Sequence, residues 1–472
     1  MKLTRPLLAV AAASLAAMGC TVGPRYHPPP VVQGAQGPWV TASSAAATIE
    51  QPPDDWWTLY RDPRLDQFIH EAFVANTDLR VAESNLSASR AILEGVNAGR
   101  YPQTGVEAGV TRGRDAITDE ILEIGGHPPQ TLWLYDALLD VSYEVDLFGH
   151  VRRSIEAARA DEQTVAAARD AVKITVAAET TRAYAEICAL GEQIAVAHHS
   201  LDVVRREAEI TVRRHEAGAN SEFDVVRAQG LVAQVRAGIP ALEGRRQAAL
   251  FQLAALLGRP PASAPTEALN CSTPPRLNAL IPVGDGSALL KRRPDIHQAD
   301  RRLASATARI GIATADLYPR VTLHGQLGGV SPEFNKLTTA EGVTWGLGPS
   351  VSWVFPNQAG TRARIRQAKA NAQAALEQFD GTVLQALKET EQALAAYVSE
   401  LDRRQALTEA QEKAQRAFDM AHDQFVAGAL SNLELLSTEQ SLVAADAAAA
   451  TSDAAVAQDQ IAVFKALGGG WE

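Results

Sequence analysis

The strongest constraint in this 472-residue chain is a pair of unbroken helical stretches, residues 150–216 and 361–427. Apolar residues recur in them every three or four positions, the helical period. In the second stretch Ile365, Ala368, Ala372, Leu376, Phe379, Val383, Leu387, Thr390, Leu394, Tyr397 and Leu401 form one continuous stripe. A helix of about 67 residues, rising 1.5 Å per residue, is a rod of roughly 100 Å. No compact globule needs such a rod. Much of the stripe is alanine, which lets neighbouring helices approach closely, and an Ala-rich composition with scattered charge suits long helices.

The chain is also written twice. Arg213 to Val232, RRHEAGANSEFDVVRAQGLV, aligns with Asp423 to Leu442, DQFVAGALSNLELLSTEQSL. AALLG at Ala254 matches KALGG at Lys465, and GRYPQTGVEAG near Tyr101 matches DLYPRVTLHGQ near Tyr318. A period of about 210 to 217 residues is far too long for a solenoid, so two copies of one long unit are expected. Each copy opens with a helical stretch, Leu65 to Ala98 or Ser287 to Asp316, that a Tyr-Pro pair stops. The expected organisation is a signal peptide at 1–19 and an extended segment at 20–63. A first repeat at 64–258 follows, with strands at about 104–113 and 134–147, long helix 150–216 and return helix 221–257. Residues 259–286 form a Pro-, Ser- and Asn-rich linker near mid-rod, an equatorial region. The second repeat, 287–468, has strands at about 320–330 and 343–355, long helix 361–427 and return helix 430–467, before a tail at 469–472. Pro240 is expected to kink the first return helix.

Period two replaces the helical period in the strands. Leu139, Val141, Tyr143, Val145 and Leu147 face one way, and Asp140, Ser142, Glu144 and Asp146 the other. Val343, Trp345, Leu347, Val351, Trp353 and Phe355 share a face in VTWGLGPSVSWVF, and Val321, Leu323 and Leu327 oppose Thr322, His324 and Gln326. Nothing in the chain supplies a second apolar layer to cover such a sheet. A bilayer does cover one when strands alternate lipid-facing and lumen-facing in an outer-membrane barrel, where Trp345 and Trp353 suit the interfacial girdle. Four strands cannot close a barrel, and open edges are not tolerated in lipid. Several chains must therefore share one barrel; three would supply twelve strands and a matching tube of rods. The loops at 112–131 and 331–342 then face outside.

The N-terminus reads as an export signal. Lys2 and Arg5 precede an apolar run from Leu7 to Ala17, too short to span a bilayer, which takes roughly 20 helical residues. The run ends in LAAMGC. This resembles a bacterial lipobox, in which cleavage exposes the cysteine and lipid is attached to it. Gly19 fits, while Ala17 and Met18 stand where that pattern prefers Leu and a small residue. The resemblance implies covalent lipid on Cys20 as the sole prosthetic group, and Thr21 in place of the Asp that retains lipoproteins at the inner membrane points to the outer membrane. The other cysteines, Cys188 and Cys271, form no CxxC pair, and whether they bond to each other stays open. A net charge of -11 with both signs interspersed argues against nucleic acid as a partner.

Taken with CTVGPRYHPP after the signal, these stretches carry a family resemblance: WWTLYRDPRLDQFIHEAFVANTDLRVA, SYEVDLFGHVRRSIEAARA, LAALLGRPP and KRRPDIHQADRRLASATARIGIATADLYPRVTLHG. The chain resembles the TolC-like outer membrane factors, in the lipoprotein subgroup that serves RND-type efflux. The resemblance implies a mixed α/β membrane protein. In it a homotrimer forms a twelve-stranded β-barrel in the outer membrane, continued by a long periplasmic α-helical barrel. It also implies a periplasmic adaptor, an inner-membrane RND transporter and passive exit of drugs or other small molecules. An exit duct for a type I protein secretion system uses the same fold and is the alternative; a pore-less coiled-coil spacer would leave the amphipathic strands without a purpose.

No catalytic constellation appears: the chain lacks Walker A, HExxH, GxSxG and GxGxxG patterns. His198 and His199 are adjacent on a helix and point apart, so shared metal ligation is not expected. Carboxylates read mostly as solvated helix faces. The family places its closure at the periplasmic tip, just after the second Gly turn, as an apolar ring followed by acidic residues one helical turn apart. In AGALSNLELLSTEQ this puts Leu433 at the ring and Glu434 at the first acidic position; Ser437 stands where the family commonly has Asp. Asp224 is the matching acid of the first copy. Both acids also suit the first turn of a helix on dipole grounds alone.

Overall fold

A computed structural model describes residues 21–41, 46–114, 124–126, 128, 131–277 and 279–469. The signal peptide, Cys20, most of the loop between the first two strands and the residues after Gly469 lie outside the described residues. The chain divides into two compact units that cut across the sequence halves. One comprises residues up to Pro29, Leu86–Val165 and Ala299–Phe379; the other comprises Pro30–Asn85, Ala166–Gln298 and the chain from Asp380 onward.

The first unit carries an antiparallel sheet of β2 (Gln103–Gly113), β3 (Leu132–Val145), β5 (Arg320–Ser331) and β6 (Val343–Ser352), in the order β2-β3-β5-β6. The register aligns the period-two faces across all of it. Val106 stands opposite Leu139, Leu139 opposite Leu327, and Leu327 opposite Trp345. Val145, Val321 and Val351 form a parallel row. On the other face Gln103, Ser142 and His324 align, as do Glu144, Thr322 and Ser350. Opposite residues in an antiparallel pair share a face, so one face is apolar and the other polar.

The strands end earlier than alternation alone implied. β3 stops at Val145 because Asp146 turns to cap α3 (His150–Glu216): its carboxylate accepts the N–H groups of Val151 at 3.1 Å and Arg152 at 2.9 Å. Leu147 is therefore off the strand. β6 stops at Ser352, and Trp353 and Phe355 lie beyond it, their rings stacked 4.6 Å apart. The Trp353 indole N–H donates to the Leu317 carbonyl at 3.0 Å, so the residue is committed to the base of the sheet.

The second unit is helical. The stretch read as one helix from Leu65 is two, α1 (Pro63–Ala75) and α2 (Thr77–Asn97). Asp62 caps the first with Pro63 in its first turn, and Asn76 breaks the pair. The Asn76 amide oxygen accepts the N–H groups of Asp78 and Leu79, and its NH₂ donates to the Leu256 carbonyl. The stretch from Ser287 also divides, into α5 (Gly286–Arg292) and α6 (Pro294–Ala315), because the residue before Pro294 is held extended. α4 (Glu222–Leu256) continues through Pro240, and α7 (Ala359–Val426) and α8 (Asn432–Leu467) are the second long and return helices. The two-residue strands β1 (Ala47–Thr48) and β4 (Ile281–Pro282) pair in parallel, tying the extended segment to the linker. The tryptophan pair anchors this unit. Trp56 is buried and stacks on Phe464 at 4.9 Å, with Tyr60 edge-on to both rings.

The linker is fastened covalently. Cys188 of α3 and Cys271 form a disulfide. Beside it the Arg246 guanidinium donates to the carbonyls of Ile187, Leu269 and Cys271 at 2.7 to 3.1 Å. The sequence left this bond open because 83 residues of chain separate the two thiols.

Candidate functional site

Two regions matter for a channel: the sheet and the hairpin turns. The apolar face of the sheet is bare. Val106 and Leu347 are each 80% exposed and Trp345 is 76% exposed. A monomeric soluble domain does not leave such a contiguous face in water. The edges β2 and β6 have no further strand partner among the described residues. Among those residues no helix is long and apolar enough to cross a membrane.

At the hairpins Gly218 and Gly428 both take φ +75°, where a side chain would be strained. The turns are built alike: Ala219 N–H donates to the Arg214 carbonyl and Ala429 N–H to the Gln424 carbonyl, each at 2.7 to 2.8 Å. Each return helix then starts with a capping box. Ser221 and Asp224 reciprocate at the first, and Ser431 and Glu434 at the second. The Glu434 carboxylate accepts the Ser431 hydroxyl at 2.7 Å and its N–H at 3.1 Å, which lowers its pKa below the ordinary glutamate value. Asp224 is likewise lowered, chiefly by the Ser221 hydroxyl and in part by Asn432. Leu433 is 53% exposed and Ser437 is exposed beside it. The four residues singled out in the sequence thus lie at the two turns, and the acids hold helix starts in this chain.

The sequence did not show what fastens the turns together. The Thr211 hydroxyl donates to the Asn432 side-chain oxygen at 3.1 Å, bridging the first copy to the second. Arg214 donates to the Phe425 carbonyl at 2.6 Å and lies over its ring at 4.3 Å. Nearby sits an acid that reads as a solvated helix face but is not one. Glu439 is 2% exposed on α8, between Leu435 and Leu442 of an apolar cluster with Phe418, Ala421 and Phe425. One of its carboxyl oxygens has no hydrogen-bond partner among the described residues. Burial, then the charge of Glu207, push its pKa up to about 8. Glu207, also buried and raised by desolvation, faces His422 of α7 at 2.9 Å. Glu439 stands three residues before Leu442 and four after Leu435; its place in the apolar stripe was the available signal. His198 and His199 are both exposed, and among the described residues no group of three or more His, Cys, Asp or Glu could hold a metal ion.

The family model for outer membrane efflux proteins matches residues 68–259 and 286–469. The chain belongs to the outer membrane efflux protein family. It is 30% identical to the pyoverdine export outer membrane protein OpmQ of Pseudomonas putida, over 97% of this chain and 96% of that protein. It is 29% identical to nodulation protein T of Rhizobium leguminosarum bv. viciae, over 98% and 93% respectively. Among solved structures it superposes on the outer-membrane channel OprN with a TM-score of 0.89 and 32% identity, covering 96% of this chain and 100% of that one. The fold is therefore that of the TolC-like channels, and the chain is an outer-membrane efflux channel. The family is one of channels rather than enzymes.

Proposed function

We propose that three copies of this chain close a twelve-stranded barrel and continue it as a periplasmic helical tube. The tube is the passive exit duct of a tripartite pump with a periplasmic adaptor and an inner-membrane RND transporter. The observation that carries this reading is the open-edged sheet. Among the described residues β2 and β6 each leave a row of backbone N–H and C=O groups without a strand partner, and lipid offers those groups nothing. Pairing β6 of one copy with β2 of the next removes every edge. The repeated order of helix, strand pair, long helix and return helix fits two copies of one ancestral unit, which the twofold family match also favours. Small-molecule cargo is supported by the pyoverdine export named for a relative.

Lipid on Cys20 completes the anchor. The Val22 N–H donates to the Phe148 carbonyl at 3.2 Å, and Thr21 packs on Gly149, which leaves no room for a side chain. The residues just after Cys20 are thus pinned where β3 meets α3, at the base of the sheet. The mature N-terminal peptide is expected to carry acyl groups by mass spectrometry, and Cys20→Ser to lack them; an unmodified cysteine in the wild type ends the lipid-anchor reading.

Leu433, Glu434, Ser437 and Asp224 form the closure at the periplasmic tip in this reading. With Ser437 in place of an acid, Glu434 supplies the ring of three charges, whose mutual repulsion is eased by cations. Detergent-solubilised protein is expected to have threefold mass and to conduct in planar bilayers. Glu434→Gln should bring the cation-over-anion permeability ratio toward unity while retaining most of the N-terminal cap. A monodisperse monomer without conductance overturns the duct, whereas an unchanged ratio removes Glu434 from the gate.

A further inference from the structure

Beside the N-terminal segment lies a cavity of about 430 Å³ walled by α3 and α6. Arg25, Tyr26, Arg153, Arg159, Gln163 and Arg301 line it, in a chain whose net charge is -11. Its cations divide into two kinds. Arg153 is buried and structural: it donates to the carbonyls of Val22 and Gly23, each at 3.2 Å, and to Glu156 at 2.7 Å, which consumes the charge of the acid lining the cavity. Arg301 pairs with Asp300, which also accepts the Tyr26 hydroxyl, and lies 5.4 Å from the centre of the Tyr26 ring. Arg25 and Arg159, by contrast, are exposed and have no carboxylate partner among the described residues. Two guanidinium groups therefore line one opening without a carboxylate partner among the described residues.

The depth of the cavity indicates what supplies that charge. β3 ends at Val145, and Phe148 stacks on Tyr318 at 4.5 Å just below it, a ring pair suited to the membrane boundary. Arg153 and Arg159 follow His150 by three and nine residues, about 5 and 14 Å along the helix. The polar layer of a bilayer is roughly 5 to 8 Å deep on each side. The cavity thus begins at headgroup level with Arg153, beside the residue next to Cys20, and runs down to Arg159 below that layer, so the Arg159 side chain must reach upward to meet a headgroup.

We propose that this cavity seats the phosphodiester of an anionic phospholipid from the inner leaflet of the outer membrane, gripped by Arg25 and Arg159 and backed by Arg301. Guanidinium groups match phosphate oxygens with paired, charge-assisted hydrogen bonds, and basic pockets of this kind hold lipid headgroups. The inference rests on the barrel reading above, which sets the membrane boundary.

The test is native mass spectrometry of the delipidated full-length protein, titrated with dioleoylphosphatidylglycerol. Wild type is expected to retain the lipid, and the double variant Arg25→Gln, Arg159→Gln to bind it about tenfold more weakly or worse, as loss of charge-assisted contacts implies. Arg309→Gln removes an exposed charge of α6 that pairs with Asp161 at 2.8 Å outside the cavity, and should leave lipid binding unchanged. Dioleoylglycerol, which lacks the phosphate, should not bind, and millimolar inorganic phosphate should not displace the phospholipid. Equal retention by the double variant, an equal loss in Arg309→Gln, or displacement by inorganic phosphate each overturns the proposal. The same spectra report the oligomer separately: a monomer sinks the barrel reading, while a trimer without lipid preference sinks only this one.

Discussion

Replacing Glu439 with Gln is expected to stabilise the protein, and by an amount that grows with pH. A carboxyl group whose pKa rises from 4.5 to about 8 on folding binds its proton more tightly in the native state. Its contribution to stability is complete below pH 4.5 and is lost progressively as pH rises toward 8. The 3.5-unit difference corresponds to about 5 kcal/mol at most, since each unit is worth about 1.4 kcal/mol. This is the reverse of the ordinary salt-bridged carboxylate, whose stabilisation disappears in acid. The cause is local: Glu439 is buried on the helix that gives Leu435 and Leu442 to an apolar cluster, the like-charged Glu207 raises it further, and His422 is already engaged by Glu207. Gln keeps the shape of the protonated acid and cannot ionise. Thermal unfolding of wild type and variant should nearly coincide at pH 4.5 and separate steadily up to pH 8.5, with the variant higher. Parallel curves across that range would mean that Glu439 reaches water or a cation in the folded protein. Glu207→Gln should act in the same direction but less, because removing it lowers the Glu439 pKa while leaving the burial in place.

What the sequence disclosed and what it hid follow from the range of the interactions involved. The stripe in α7 and the alternation in β3 are written in neighbouring residues, so each element's kind could be read from a short window. The starts of the return helices, expected at 221 and 430, lay within two residues of those observed at Glu222 and Asn432, because the Gly turns mark them locally. The break at Asn76 was not, because Asn76 is held by its own turn and by the distant carbonyl of Leu256. The end of β3 was missed because Asp146 continues the alternation in sequence yet is drawn off by the N-terminus of α3. At the hairpin turns the pattern located Leu433 and Glu434, but not the fastening. Thr211 meets Asn432 across 221 positions and Arg214 meets Phe425 across 211. Separations of 211 and 221 join one copy to the other near the repeat shift of about 210, so the two turns, alike in sequence, are bound to each other by residues in which they differ. The basic cavity was hidden in the same way: Arg25, Arg159 and Arg301 come from three distant segments, and each alone reads as a surface charge.

Reduction of the Cys188–Cys271 bond is the second large effect expected. The bridge closes a loop of 83 residues, and loop-closure entropy assigns such a cross-link about 4.5 kcal/mol, acting on the unfolded chain. The native arrangement beside it is independently organised. Cys188 is buried within α3, and Arg246 of α4 fixes the carbonyls on both sides of the bond. The guanidinium should therefore hold the linker against the helix even when the sulfurs part, so the folded structure survives while its stability falls. The double variant Cys188→Ser, Cys271→Ser is expected to keep the assembly and conductance of the wild type but to unfold at a clearly lower temperature, and reductant should lower the wild type to meet it. The intact protein under non-reducing conditions should weigh two hydrogens less than its reduced form. If reductant leaves the melting temperature of the oxidised protein unchanged, the linker is held by its non-covalent ties, among them Arg246, the Arg276–Asp453 ion pair, the Leu277–Gln460 hydrogen bonds and the β1–β4 pairing. Adding Arg246→Met to the double variant then separates the two fastenings. With neither the bond nor the guanidinium, residues 266–277 lose both of these ties to α3 and α4, and proteolysis within that segment should appear before global unfolding.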